Sequence, residues 1–107
     1  GCLFVFTQKQ WEKISGKLGE SSMLQSDTRS FNRYLLGGAT EAEVDSIGRV
    51  LIPEFLRERA GLKEKVAVVG VQSRVELWNE KRWQEVKHGV EQQADTLAEK
   101  LCQVGVL

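Results

Sequence analysis

The chain has 107 residues, 41% of them hydrophobic and 28% charged, which fits one ordinary globular domain and leaves little room for two. Lys plus Arg and Asp plus Glu both number 15, which argues against a basic tail or bulk electrostatic capture of nucleic acid. It does not exclude DNA contact by charges segregated on one face or by assembly.

Leu3 to Phe6 is β-prone. Thr7 follows as a helix N-cap with Gln10 three residues on, a capping-box pattern. Trp11, Ile14 and Leu18 at helical spacing predict an amphipathic helix over about 8–18. Gly19 to Ser26 reads as a polar loop with Met23 and Leu24 available to pack, and Asp27 as the cap of a second helix that carries Phe31, Tyr34 and Leu35 and stops at Gly37. Ala39 to Val44 alternates as a half-exposed strand, Asp45 to Gly48 as a turn, and Arg49 to Ile52 as the returning strand. Pro53 opens a short helix, Glu54 to Ala60, closed by Gly61. Lys65 to Val71 is a near-continuous apolar strand, paired through a tight turn at Gln72-Ser73 with Arg74 to Trp78. Asn79 caps a long final helix of about six turns, whose stripe is Trp83, Val86, Val90, Ala94, Leu97, Leu101 and Val104.

Several chemistries find no residues to perform them. Cys2 and Cys102 lie near opposite ends and read as reduced, part-buried thiols rather than a disulfide scaffold. With a single His, structural zinc lacks ligands. His88 reads as solvated surface. No Ser sits in a nucleophile elbow, and no Gly-rich loop cradles phosphates. The expectation is a protein with no catalytic residues, no metal, no cofactor and no small-molecule substrate. The longest uncharged apolar run, Val66 to Val71, is too short to cross a bilayer. The start, Gly1 to Phe6, has neither a basic region nor a long apolar segment, so no signal peptide is visible.

The Asp45 turn carries the most chemistry. Asp45 can accept backbone N–H bonds across the turn, and Gly48 can take the positive φ that returns the chain. Arg49 then leaves the turn as a planar fork suited to phosphate or guanine, and β-ribbons read DNA grooves. Alternatively, Asp45 and Arg49 simply pair across a surface turn. Ser46 and Ile47 at the tip are weaker candidates. Arg57, Arg59 and Arg74 can track a phosphate backbone or pair with Glu54, Glu58 and Glu76. The three Trp read as core and interface.

One internal similarity bears on the fold. At an offset of 72, Leu3 meets Val75, Val5 meets Leu77, Phe6 meets Trp78, Thr7 meets Asn79, Lys9 meets Lys81, Trp11 meets Trp83 and Ile14 meets Val86. A strand, a cap and a helix face recur in one order, as in tandem units. The counterpart of the Asp45–Arg49 hairpin would fall before residue 1, so the expectation is a chain truncated at its N-terminus.

Ala39-Thr40-Glu41-Ala42-Glu43-Val44-Asp45-Ser46-Ile47-Gly48-Arg49-Val50-Leu51-Ile52-Pro53 resembles the second signature of the MraZ family. The likeness continues through Leu56-Arg57, Ala60-Gly61-Leu62, Val69-Gly70-Val71 and Arg74-Val75-Glu76-Leu77-Trp78. It implies an α+β protein built on an AbrB-like double-split, swapped-hairpin β-barrel with flanking helices and a long C-terminal helix. Residues 1–38 would be the remainder of a first AbrB-like unit and residues 39–107 a second. It further implies a cytoplasmic, nucleoid-associated regulator that assembles into ring-shaped homo-oligomers. Such rings bind repeated boxes of double-stranded DNA in the promoter of the division and cell-wall gene cluster, here as a repressor.

On that resemblance the DNA-binding residues are Arg49, Ser46, Ile47, Gly48, Asp45 and Arg57, with Asp45 shaping the hairpin rather than touching phosphate. Leu97, Leu101 and Val104 are assigned to the oligomer interface, with Trp83 and Val86 packing within the chain. Two other readings stand beside this one. An AbrB-like antitoxin would use the same hairpin to bind its operator while holding a toxin. A structural ring protein would bind no DNA.

Overall fold

The structure, a computed structural model, describes residues 1–20 and 26–105, with side chains described for all of these except 20 and 26–28. Three strands form one antiparallel sheet in the order β1 (Leu3–Val5), β3 (Arg74–Asn79), β2 (Val66–Val71). Around it lie α1 (Gln8–Glu20), α2 (Ser26–Gly37), α3 (Glu54–Ala60), α4 (Glu80–Glu91) and α5 (Ala94–Gln103). The mixed α+β class follows directly from this order.

Local chemistry explains most boundaries. Thr7 caps α1 by accepting the Gln10 N–H on Oγ1 at 3.2 Å, and Asn79 caps α4 by accepting the Arg82 N–H on Oδ1 at 3.0 Å. Pro53 is the N-cap of α3, where its missing N–H costs nothing, and Gly61 ends that helix in the left-handed region at φ +64°. The predicted Asp27 cap and the packing of Met23 and Leu24 lie outside the described side chains.

The hairpin β2–β3 pairs Val71 with Arg74 through to Val66 with Asn79. Strand β1 adds to the other edge of β3, with Leu3 opposite Leu77, Phe4 opposite Glu76 and Val5 opposite Val75. Alternation therefore puts Phe4, Arg74, Glu76 and Trp78 on one face, and Leu3, Val5, Val68, Val75 and Leu77 on the other. Two aromatic pairs dock helices beside the strands: Phe6 on Trp11 at 5.9 Å, and Trp78 on Trp83 at 5.7 Å between ring centroids. All three Trp are half-buried in this way.

Three expectations need correction. First, the described residues of a single chain do not close a barrel: their sheet has three strands and both outer edges are open. Second, Ala39–Val44 and Arg49–Ile52 are not strands; a single antiparallel bridge joins Val44 to Val50. Both have one cause. Residues 39–51 are exposed throughout, so the predicted strands have no sheet to join, and an isolated ribbon cannot hold strand geometry in water. Third, the long C-terminal helix is two helices. At Gln92 and Gln93 the ladder changes: the Gln93 N–H bonds to the Val90 carbonyl three residues back, and Gln93 adopts φ −114°. Neither α4 nor α5 buries a residue, so no packed surface holds the stripe to one straight rod.

The apolar surface is correspondingly open. Ala60 is the only buried apolar residue among those described. The accessible surface is 8808 Å², against about 6,000 Å² for a compact monomer of 12.1 kDa. The radius of gyration is 16.6 Å, where about 13 Å suits a compact chain of this length.

Of the two cysteines, Cys2 is half-buried and Cys102 exposed, so the expectation of a part-buried thiol fails for Cys102. It lies on α5, which buries none of its residues. Burial, and then the Glu76 carboxylate, push the Cys2 thiol up, which suppresses its thiolate. His88 is exposed, with Nε2 3.1 Å from Gln92 Nε2. No described helix is long and apolar enough to cross a membrane.

Candidate nucleic-acid interface

The turn at Asp45 is organised by one carboxylate. Its Oδ1 accepts the backbone N–H of Ile47 at 3.0 Å and that of Arg49 at 2.8 Å. Its Oδ2 accepts Arg49 Nε at 2.8 Å. Backbone bonds close the ring: the Gly48 N–H donates to the Asp45 carbonyl at 3.1 Å, and the Asp45 N–H to the Arg49 carbonyl at 2.9 Å. Gly48 sits at φ +85°, a conformation that strains any residue with a Cβ. The Arg49 backbone N–H, then its side chain, hold the Asp45 carboxyl below the usual carboxylate range.

This is the simple pairing across a turn, and it also orients the arginine. Asp45 engages Nε and leaves both terminal amino groups of Arg49 without a protein partner among the described residues. The Arg49 side chain is 75% exposed. The planar fork thus projects from a turn whose shape is set by five hydrogen bonds from or to Asp45. Ile47 at the tip is 69% exposed, and Ser46 is exposed beside it.

The other arginines separate into different roles. Arg74 is tied to Glu76, with Nη2 to Oε2 at 2.8 Å. Arg59 lies over the Tyr34 ring at 4.9 Å and the Phe55 ring at 5.8 Å. Arg57 is exposed on α3, in a recess with Glu54, Glu58, Gly61, Leu62 and Lys63. Among the described residues no hydrogen bond or ion pair joins Arg57 to the hairpin.

The Arg59 clamp was not foreseen. It joins the end of α2 to α3, and a Cβ on Gly38 would meet Arg59 Nη1 at 2.8 Å. Residues 39–53 therefore leave from Gly38 beside Arg59 and return at Pro53 into the helix that carries Arg59. Both ends of the hairpin segment are fixed at α3. The residue types hint at this only weakly, since Tyr34 and Arg59 are far apart in sequence.

Leu97, Leu101 and Val104 are exposed at 37%, 42% and 72%. Trp83 packs on Trp78, while Val86 is 39% exposed. No group of three His, Cys, Asp or Glu side chains is placed to hold a metal among the described residues.

Comparison with known proteins finds relatives of this sequence. The family described as "MraZ protein, putative antitoxin-like" matches residues 35–103, which include the hairpin and its flanking elements. A protein of Acetivibrio thermocellus called transcriptional regulator MraZ is 38% identical over 105 residues, covering 98% of this chain and 73% of its own. Proteins of the same name from Ligilactobacillus salivarius and Moorella thermoacetica are 41% and 43% identical, each covering 94% of this chain and respectively 71% and 70% of their own.

Proposed function

The chain belongs to the MraZ family, and from that premise we propose that it is a sequence-specific DNA-binding regulator of transcription. The observation that carries the reading is the Asp45–Arg49 hairpin: an exposed guanidinium on a turn pre-shaped by a carboxylate. A pre-shaped turn costs little ordering on binding, and a free pair of amino groups can span a phosphate or the guanine edge. Asp45 acts by holding the turn, since a carboxylate placed against phosphates would be repelled. Ser46, Ile47 and Gly48 line the tip that meets the duplex, and Arg57 adds phosphate attraction from α3.

Residues 1–38 and 39–107 are assigned to two AbrB-like units of a double-split barrel. Several copies then form a ring. The open sheet edges and the excess of accessible surface, close to 3,000 Å² over a compact monomer, support association of this kind. Leu97, Leu101 and Val104 on α5 and its C-cap supply the contact between copies. With charges balanced overall, each hairpin binds weakly, and regularly spaced promoter boxes are held by several hairpins at once. The assigned targets are repeated boxes upstream of the division and cell-wall genes, with repression as the outcome, in the cytoplasm at the nucleoid.

Arg49→Ala tests this by titration against promoter DNA at fixed salt. A loss of about 1–3 kcal/mol per engaged hairpin is expected, the worth of one good base contact. An unchanged isotherm for a variant of wild-type mass would defeat the assignment. Arg49→Lys retains the charge and loses the fork, so it should bind with the wild-type salt slope but weaker sequence discrimination.

A further inference from the structure

The pairing of β1 with β3 has a symmetry of its own. Phe4 faces Glu76, and Leu3–Leu77 and Val5–Val75 flank it. Positions 3, 4 and 5 lie 72 residues before 75, 76 and 77. Exchanging the two segments therefore maps every pair onto another, as a local twofold through Phe4 and Glu76 requires. The surroundings follow the same offset. Thr7 and Asn79 each cap the next helix by accepting an N–H three residues on. Phe6–Trp11 and Trp78–Trp83 are the same ring pair at 5.9 and 5.7 Å.

Strands so alike can trade partners. Two copies of the chain could exchange them, pairing β3 with β3 and β1 with β1 in the same register. The side chains on the twofold decide against it. Glu76 is 9% exposed, and both its oxygens are engaged: Oε2 by Arg74 Nε at 2.9 Å and Oε1 by Trp78 Nε1 at 3.1 Å. Phe4 opposite is neutral, and its ring carries the Arg74 guanidinium at 4.5 Å. Exchange would set two Glu76 carboxylates face to face on a poorly solvated strand and strip Arg74 of its ring. Like charges directly opposite on paired strands are destabilising, and partly buried ones more so.

We propose that Glu76, with Arg74, is a pairing-specificity residue that commits β3 to the unlike strand β1 and bars like-with-like pairing between copies. The inference is independent of the DNA reading, since none of these side chains belongs to the hairpin.

The test is light scattering on the full chain over a hundredfold range of concentration, with circular dichroism to report folding. Glu76→Phe makes all pairings alike, so species heavier than the parent should appear and grow with concentration. Phe4→Glu combined with Glu76→Phe exchanges the two side chains, keeps a carboxylate beside Arg74, and should return the parent mass. If Glu76→Phe does not fold, the exchanged variant should still fold and keep the parent mass. The proposal is overturned by a folded Glu76→Phe chain with the parent mass throughout. It is equally overturned if the exchanged variant fails to restore mass or folding.

Discussion

Replacing Asn79 by Ala removes two bonds that join separate elements. Its Oδ1 accepts the Arg82 N–H at 3.0 Å and so caps α4, while its Nδ2 donates to the Gly61 carbonyl at 2.7 Å. Loss of the cap costs about 1 kcal/mol. Loss of the second bond leaves a part-buried carbonyl unpaired at the end of α3, for about 1 kcal/mol more. The expected destabilisation is therefore about 2 kcal/mol. Thr7 is a control within the same chain, because its Oγ1 caps α1 at 3.2 Å from an exposed position and makes no second bond among the described residues. Thr7→Ala should cost about 1 kcal/mol or less. Asn79→Asp keeps the acceptor and loses the donor, so it should fall between the two. Urea unfolding at one fixed protein concentration reads all three, since assembly would otherwise add a mass-action term. An Asn79→Ala chain no less stable than Thr7→Ala would refute the idea that Asn79 links α3 to α4.

Gly38→Ala should destabilise by about 1–3 kcal/mol, because its Cβ would meet the Tyr34 carbonyl at 3.1 Å as well as the movable Arg59 Nη1; a wild-type melting curve would remove Gly38 from the clamp. Asp45 has a depressed carboxyl, so its contribution to hairpin order is fully present above the ordinary value of 3.8 and is lost as pH falls through the lower folded value. A carboxyl-carbon NMR titration should therefore give a midpoint below 3.8, and one at or above it would contradict the bonded turn. Leu97→Asp with Leu101→Asp should lower the assembly mass without loss of helical signal, and an unaltered mass would remove α5 from the interface.

Local signals were legible wherever the cause was local. Pro53 and Gly61 bracket α3 because one lacks an N–H and the other tolerates a positive φ. The Asp45–Arg49 turn was readable because every bond in it lies within four residues. The offset of 72 could be seen in the residue types, and the pairing of β1 with β3 respects it. Where an element depends on something packed against it, residue pattern was insufficient. Ala39–Val44 and Arg49–Ile52 alternate like strands, yet strand geometry requires neighbours that these exposed segments lack. The stripe from Trp83 to Val104 steps like one helix, yet an unpacked stripe does not prevent a break at Gln92–Gln93.

Sequence alone thus determined the class of the fold, the caps at Thr7 and Asn79, the turn at Asp45 and the arginine it presents, because short-range sterics and hydrogen bonds specify those within a few residues. Only the tertiary structure decided that Arg59 clamps Tyr34, that Asn79 reaches Gly61, and that Glu76 is buried opposite Phe4. These contacts join residues far apart along the chain, and nothing in a local pattern specifies which distant partner a side chain will meet.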